Sequence, residues 1–198
     1  MRKLSKMLNQ VGDRSGTLGF ASQKGVEKIE IATFLLIENK TDLKSLAAKD
    51  VSAILITDNS ILESYSPPPS LVIGLDLREQ NEISNKSQYA EIDFALVSLN
   101  SNWRTLESED CGLVLELDLS EETSDITELI QLLQGKQALP LDAILLSGGL
   151  SEDLGTIKNQ LNLRRFNEAV GLPLIIAESS ADSDPDQLRA LGIKGLMA

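Results

Sequence analysis

The sequence predicts an α/β fold, eight parallel strands closed into a small (β/α)8 barrel, and three observations predict it. Eight short apolar runs recur along the 198 residues, each run is continuous rather than alternating, and most of them turn polar or acidic where they end. A continuous apolar run suits a strand buried on both faces, as in a parallel sheet covered by helices. Polar residues at strand ends are what a parallel barrel gathers around its open C-terminal mouth.

The strands are expected at Thr33–Ile37, Ala53–Thr57, Leu71–Leu75, Phe94–Leu99, Gly112–Leu117, Ala143–Leu146, Pro173–Ala177 and Lys194–Ala198. Helical spacing appears between several of them. Asp42–Lys49 sets Leu43, Leu46 and Ala47 on one face. Glu121–Gln134 carries Ile126, Leu129, Ile130 and Leu133, with Gly135 as a stop. Glu152–Val170 carries Leu154, Ile157, Leu161 and Ala169 and stops at Gly171. Asp186–Leu191 follows Asp184 and Pro185, a cap and a first-turn residue, and stops at Gly192. The other connections are lean. Pro67, Pro68 and Pro69 leave room for only a short helix at Ile61–Tyr65, Asn100–Asp110 allows a turn or two around Trp103–Leu106, and Arg78–Asp93 is polar.

Strand–helix–strand alternation implies right-handed crossovers, and eight such units close a barrel. An open doubly wound sheet is the competing arrangement. It calls for a glycine-rich turn after the first strand, and none follows Ile37. The whole chain 1–198 is expected to be one domain, with the barrel over 33–198.

At the N-terminus, Leu4, Met7, Leu8 and Val11 fall at helical spacing within Met1–Gly12. This is an extra helix ahead of the barrel, joined by an extended lead-in at Thr17–Ala21. The last strand ends at Ala198 with no eighth helix after it. The N-terminal helix is therefore expected in the vacant place beside the first and last strands, covering apolar surface there. A partner subunit in a homodimer is the alternative cover.

Composition excludes several function classes. Hydrophobic residues make up 42% and charged ones 24%, a balance suited to a packed domain. Aromatic residues are only 4%, so Leu, Ile, Val and Ala must build the core. The formal net charge of -12 repels phosphate backbones and anionic lipid, which argues against nucleic acid and membrane partners; the acidity reads first as solubility, and a small-molecule ligand is the partner the barrel mouth would take. No apolar run approaches the ~20 residues of a membrane span, and the basic N-terminus lacks the apolar region of a signal peptide. Cys111 is the only cysteine, which fits a cytoplasmic location; at the head of an apolar run it reads as a small core residue. The chain has no histidine, which removes His-dependent triads, His-ligated zinc or iron, and imidazole acid–base chemistry.

Two stretches carry a resemblance. One is Gly171-Leu172-Pro173-Leu174-Ile175-Ile176-Ala177-Glu178 followed by Asp184-Pro185-Asp186-Gln187-Leu188-Arg189-Ala190-Leu191-Gly192-Ile193-Lys194-Gly195-Leu196-Met197; the other is Leu46-Ala47-Ala48-Lys49-Asp50-Val51-Ser52-Ala53-Ile54. They resemble units of the aldolase-type (TIM) barrel superfamily, in which indole-glycerol-phosphate synthases, thiamine-phosphate synthases and flavin-linked barrels share a short Asp-Pro-initiated helix, a glycine stop and a final strand. The resemblance implies architecture, not one activity. Those families bind substrate phosphate on glycine-rich backbone after the seventh strand and at a small helix after the eighth. Here Glu178 stands at the first of these places and the chain ends before the second.

A barrel mouth would collect Glu38, Asp58, Asp76, Glu116, Asp118 and Glu178. Clustered carboxylates raise one another's pKa and serve as general acid and base, or hold Mg²⁺ through oxygen ligands. Glu38, Asp76, Glu116, Asp118 and Glu178 are the catalytic candidates. Glu116 and Asp118 share one face of their strand. Asp58, Arg78, Asn100, Ser147, Gly148 and Gly149 are the ligand-binding candidates. Arg78 is the cation placed to clamp an anion, with pairing to Asp76 or Glu79 as the plainer account. Ser147-Gly148-Gly149 reads as a turn leaving a strand before it reads as a phosphate loop. No lysine ends a strand and Lys194 begins the last one, which argues against Schiff-base chemistry. Two functions fit: a small-molecule lyase or isomerase working through the mouth carboxylates, or an inactive barrel that binds a ligand or serves as an oligomeric scaffold.

Overall fold

Eight parallel strands pair in chain order and close on themselves. The computed structural model describes residues 2–12, 30–40, 42–43, 46, 51–79, 91–100, 111–119, 126–135, 140–148, 156–177 and 184–198. Its strands are β1 (Ala32–Ile37), β2 (Ala53–Ile56), β3 (Val72–Asp76), β4 (Phe94–Val97), β5 (Gly112–Asp118), β6 (Ala143–Ser147), β7 (Leu174–Ala177) and β8 (Ile193–Met197). Closure is made by β8 against β1, with Ala32 opposite Gly195 and Phe34 opposite Met197. The register slips once, between Leu174 and Ile175 of β7, and Lys194 is the residue left over on β8.

Four helices are described: α1 (Lys3–Gln10), α2 (Ile126–Gly135), α3 (Ile157–Val170) and α4 (Pro185–Ala190). Local chemistry sets their ends. The Thr156 hydroxyl accepts the Asn159 N–H at the start of α3, and the Asp184 carboxylate accepts the Asp186 N–H ahead of Pro185 in α4. The short helix expected before the prolines is a 3-10 helix at Asn59–Ser64. The stretches Thr17–Ala21 and Trp103–Leu106 lie outside the described residues, as does most of the helix expected over Asp42–Lys49.

Strand pleating separates two apolar cores. Side chains pointing outward, among them Ile54, Ile73, Leu115 and Ile176, pack with Ile130, Leu163, Phe166 and Leu188 of the helices. Side chains pointing inward, among them Phe34, Leu55, Phe94 and Leu145, fill the barrel. Phe34 and Phe94 meet edge to face with ring centres 6.0 Å apart. Small residues on neighbouring strands make room for these two rings. A Cβ on Gly74 would lie 2.1 Å from Phe94 Cζ, and one on Gly195 would lie 2.6 Å from Phe34 Cε2.

The N-terminal helix is not where the sequence reading puts it. Leu4, Met7, Leu8 and Val11 pack into the inner core, not the outer one. Arg2 Nη1 donates to Pro140 O (2.9 Å) and Asp142 Oδ2 (2.5 Å), and Lys3 Nζ donates to Leu71 O (2.5 Å) and Asp93 Oδ2 (2.9 Å). Leu71, Asp93 and Asp142 each stand one residue ahead of a strand, so α1 lies across the N-terminal end of the barrel and stoppers it. Lys194 at the start of β8 adds a bond from its Nζ to Val11 O (2.7 Å). The expected position beside β1 and β8 loses because the barrel's open bottom offers α1 both an apolar floor and acidic partners. On the outer faces there, Thr33 and Leu35 of β1 and Leu196 of β8 stay half-buried.

Candidate functional site

With the bottom closed by α1 and the middle filled by aromatic rings, open space is left at the C-terminal mouth. A cavity of about 540 Å³ opens there, lined by Leu36, Glu38, Thr57, Asp76, Arg78, Glu79 and Glu116. The pleat explains which acids arrive. Glu38 continues the inward series Phe34 and Leu36, Asp76 continues Val72 and Gly74, and Glu116 continues Gly112 and Val114. These carboxylates come from β1, β3 and β5 or the residue just after, that is from alternate strands, as in each layer of such a barrel.

One side chain organises them. The Arg78 guanidinium grips Asp76 side-on, Nε to Oδ1 at 2.9 Å and Nη2 to Oδ2 at 2.6 Å. Its Nη1 reaches Glu116 Oε1 at 2.9 Å. The Arg78 backbone N–H also donates to Asp76 Oδ1 (3.1 Å), and the Ser98 hydroxyl donates to the Arg78 carbonyl (3.4 Å). Arg78 is therefore held by main chain and side chain together. Hydrogen bonding to Asp76 raises the guanidinium's pKa further above its already high ordinary value, outweighing burial, with the charges of Asp76 and Glu116 adding to the shift. Arg78 is a permanent cation. Glu38 and Glu79 are exposed at the rim and make no ion pair among the described residues.

The other candidates are placed differently. Asp118 follows Glu116 on the same face of β5 but lies further out, exposed and opposite Ser147 in the ladder. Asp58 has the outward parity of Ile54 and Ile56. Its Oδ1 accepts the Ser60 N–H (2.6 Å) and caps the 3-10 helix, and those bonds to Ser60 hold its carboxyl below the usual value. Asn100 is exposed in the turn after β4, outside the cavity lining. Ser147 ends β6, and Gly148 takes a φ of 63° as the chain leaves the strand. Glu178 and Gly149 lie outside the described residues. Cys111 is buried at the other end of the barrel, where desolvation pushes its thiol up to about 11.

No family model matches the sequence, and no curated protein matches it. Solved structures do match the fold. A phosphoenolpyruvate phosphomutase from Streptomyces platensis subsp. rosaceus aligns with a TM-score of 0.64 at 9% identity, over 98% of this chain and 79% of that one. A 2,3-dimethylmalate lyase of the PEP mutase/isocitrate lyase superfamily aligns at 0.59 and 9% identity, over 84% and 75%. An oxaloacetate acetylhydrolase aligns at 0.57 and 11% identity, over 86% and 76%. The chain is a closed (β/α)8 barrel. At these identities the likeness is one of fold, and the site has to be argued from this chain's own residues.

Among the described residues no three acidic, cysteine or histidine side chains converge to hold a metal ion. Asp76 and Glu116, the two best-placed carboxylates, already share a guanidinium. No described helix is long and apolar enough to cross a membrane.

Leu36, Thr57 and Ser98 were not among the sequence candidates, and Glu79 was named only as a pairing partner for Arg78. Thr57 had a usable signal, since it continues the inward series Ala53 and Leu55. Asp58 stands one residue further on, and one residue turns a side chain to the other face.

Proposed function

We propose that this barrel is a small-molecule lyase or isomerase working at its C-terminal mouth. The observation that supports it is the cavity of about 540 Å³ into which alternate strands deliver Glu38, Asp76 and Glu116 around Arg78. That volume suits a metabolite-sized ligand. Glu38 moves the proton in this reading, because it faces the cavity without an ion-pair partner among the described residues. It takes a proton from a carbon next to a carbonyl; where that carbon bears a hydroxyl, the proton returns to the former carbonyl carbon while the hydroxyl proton passes to the old carbonyl oxygen, and where the β carbon bears a leaving group, that bond breaks and the proton goes to the departing group. The electron pair released moves onto the carbonyl oxygen. Arg78 commits three of its five N–H donors to Asp76 and Glu116, and the remaining two serve that oxygen. Among the described residues four carboxylates and one cation line the cavity, so a neutral or amine-bearing substrate suits it better than a phosphate ester or a dicarboxylate.

The Arg78 pairing also gives a second reading its footing. A cation already shared by two carboxylates makes a rigid wall, which suits a binding barrel without turnover. Thermal-shift screening of polar metabolites followed by NMR of each stabilising hit separates the two. A lyase or isomerase converts a hit, and Glu38→Gln abolishes conversion while the hit still raises the melting temperature. Hits that bind unchanged leave the binding barrel, and a library without a single stabilising compound removes both.

A further inference from the structure

We infer that the Arg78 guanidinium is the resident cation of the mouth, seated between Asp76 and Glu116 in the place a divalent metal would otherwise take, so that the site works without one. This deepens the reading of the mouth as the ligand site. Its test reads metal binding rather than turnover, so failure of one is distinguishable from failure of the other.

Hard divalent cations need carboxylate oxygens drawn in to about 2.0–2.6 Å, with lone pairs free to face the ion. At Asp76 and at Glu116 Oε1 those lone pairs face nitrogen. Both oxygens of Asp76 accept from Arg78, and Glu116 Oε1 accepts from the same guanidinium at 2.9 Å. An ion approaching either carboxylate would meet a fixed positive charge at hydrogen-bond distance. Asp76 and Glu116 sit on β3 and β5, with β4 between them, and Arg78 is the link that joins them. Joining carboxylates from separate strands is what a metal ion does in a site built of strand ends.

The arrangement is also built to stay. Arg78 lies two residues after Asp76, its own N–H bonds the same carboxylate, and Ser98, just after the next strand, holds its carbonyl. A covalently attached cation cannot be chelated away or exchanged. It carries one charge rather than two and offers directional N–H donors rather than empty coordination positions. The mouth therefore orients and stabilises an oxygen through hydrogen bonds.

Removing the guanidinium should convert the pair into a metal site. Manganese(II) serves as the probe, followed by electron paramagnetic resonance on the full chain. The wild-type protein should bind Mn²⁺ no better than Asp76→Asn/Glu116→Gln, which reports the background of its acidic surface. Arg78→Met should gain Mn²⁺ affinity by about tenfold or more through loss of the opposing charge, and adding Glu116→Gln should abolish the gain. Arg78→Gln, which keeps a hydrogen-bonding side chain, is the second variant in case the methionine variant does not fold. Wild-type binding that Asp76→Asn removes would overturn the inference. So would the absence of any gain in a folded Arg78 variant.

Discussion

Arg78 and Glu116 meet across the barrel mouth, Nη1 to Oε1 at 2.9 Å, although their strands β3 and β5 are separated by β4. The contact ties two strands that share no backbone hydrogen bond. The bond to Asp76 is local and two-pronged, whereas the bond to Glu116 is single and spans the mouth. Double-mutant cycles in urea should give a coupling of about 2 kcal/mol for Arg78 with Asp76 and about 1 kcal/mol for Arg78 with Glu116. Equal couplings would show that the side-on geometry adds nothing.

Inside the barrel, Gly74 and Phe94 occupy one space between them. Gly74→Ala should destabilise by about 1–3 kcal/mol, because its Cβ would overlap the phenyl ring. Combining it with Phe94→Leu should cost less than the sum of the single changes, since the smaller side chain vacates that space. Chemical denaturation of the four proteins measures both quantities.

The stopper at the barrel floor depends on Asp142. Its carboxylate accepts from Arg2, from Ser5 and from the Leu113 N–H of β5. Asp142→Ala should cost about 2–3 kcal/mol, since it removes the carboxylate that pairs with Arg2 and accepts a strand N–H. Hydrogen exchange should quicken in α1 and at the start of β5 while the mouth strands keep their protection. Uniform quickening would mean that α1 and the barrel unfold as one unit.

Asp58 supplies a pH-dependent contribution through its cap. Its folded pKa lies below the ordinary 3.8 because Ser60 donates to the charged form. The stabilisation is then present above the unfolded value and is lost as pH falls through the folded one. Asp58→Ala should cost about 1 kcal/mol at pH 7 and progressively less in increasingly acid solution below pH 3.8. Equilibrium unfolding of both proteins across this range gives the difference directly.

Cys111 should behave oppositely. Burial raises its thiol from 9.0 to about 11, so the unfolded chain loses that proton first as pH rises. Stability from this group is full below pH 9 and declines towards pH 11. Alkylation of the native protein at pH 8 should be far slower than in urea, and the two rates should converge only on unfolding. Fast native alkylation would place the thiol in contact with solvent.

Strand number, order of elements and the acidic character of the mouth were legible because they follow from short-range pattern. Runs such as Ala53–Ile56 and Phe94–Val97 are buried on both faces, and only a parallel sheet sandwiched between two cores explains continuous apolar sequence. Glu38, Asp76 and Glu116 line the cavity because each continues an inward series at a spacing of two residues, whereas Asp58 has the opposite parity.

What the amino-acid order determined by itself was the set of strands, the helix ends marked by Gly171, Asp184 and Pro185, and the amphipathic stripe of α1. Tertiary structure alone decided where that stripe goes. Leu4, Met7, Leu8 and Val11 state that an apolar surface is needed, but only the assembled barrel shows that its floor is open and ringed by Asp93 and Asp142. It also decided that Arg78 would reach Glu116, because that contact joins residues 38 positions apart and exists only once the sheet has closed. Local spacing encodes which face a side chain takes, whereas closure chooses what it meets.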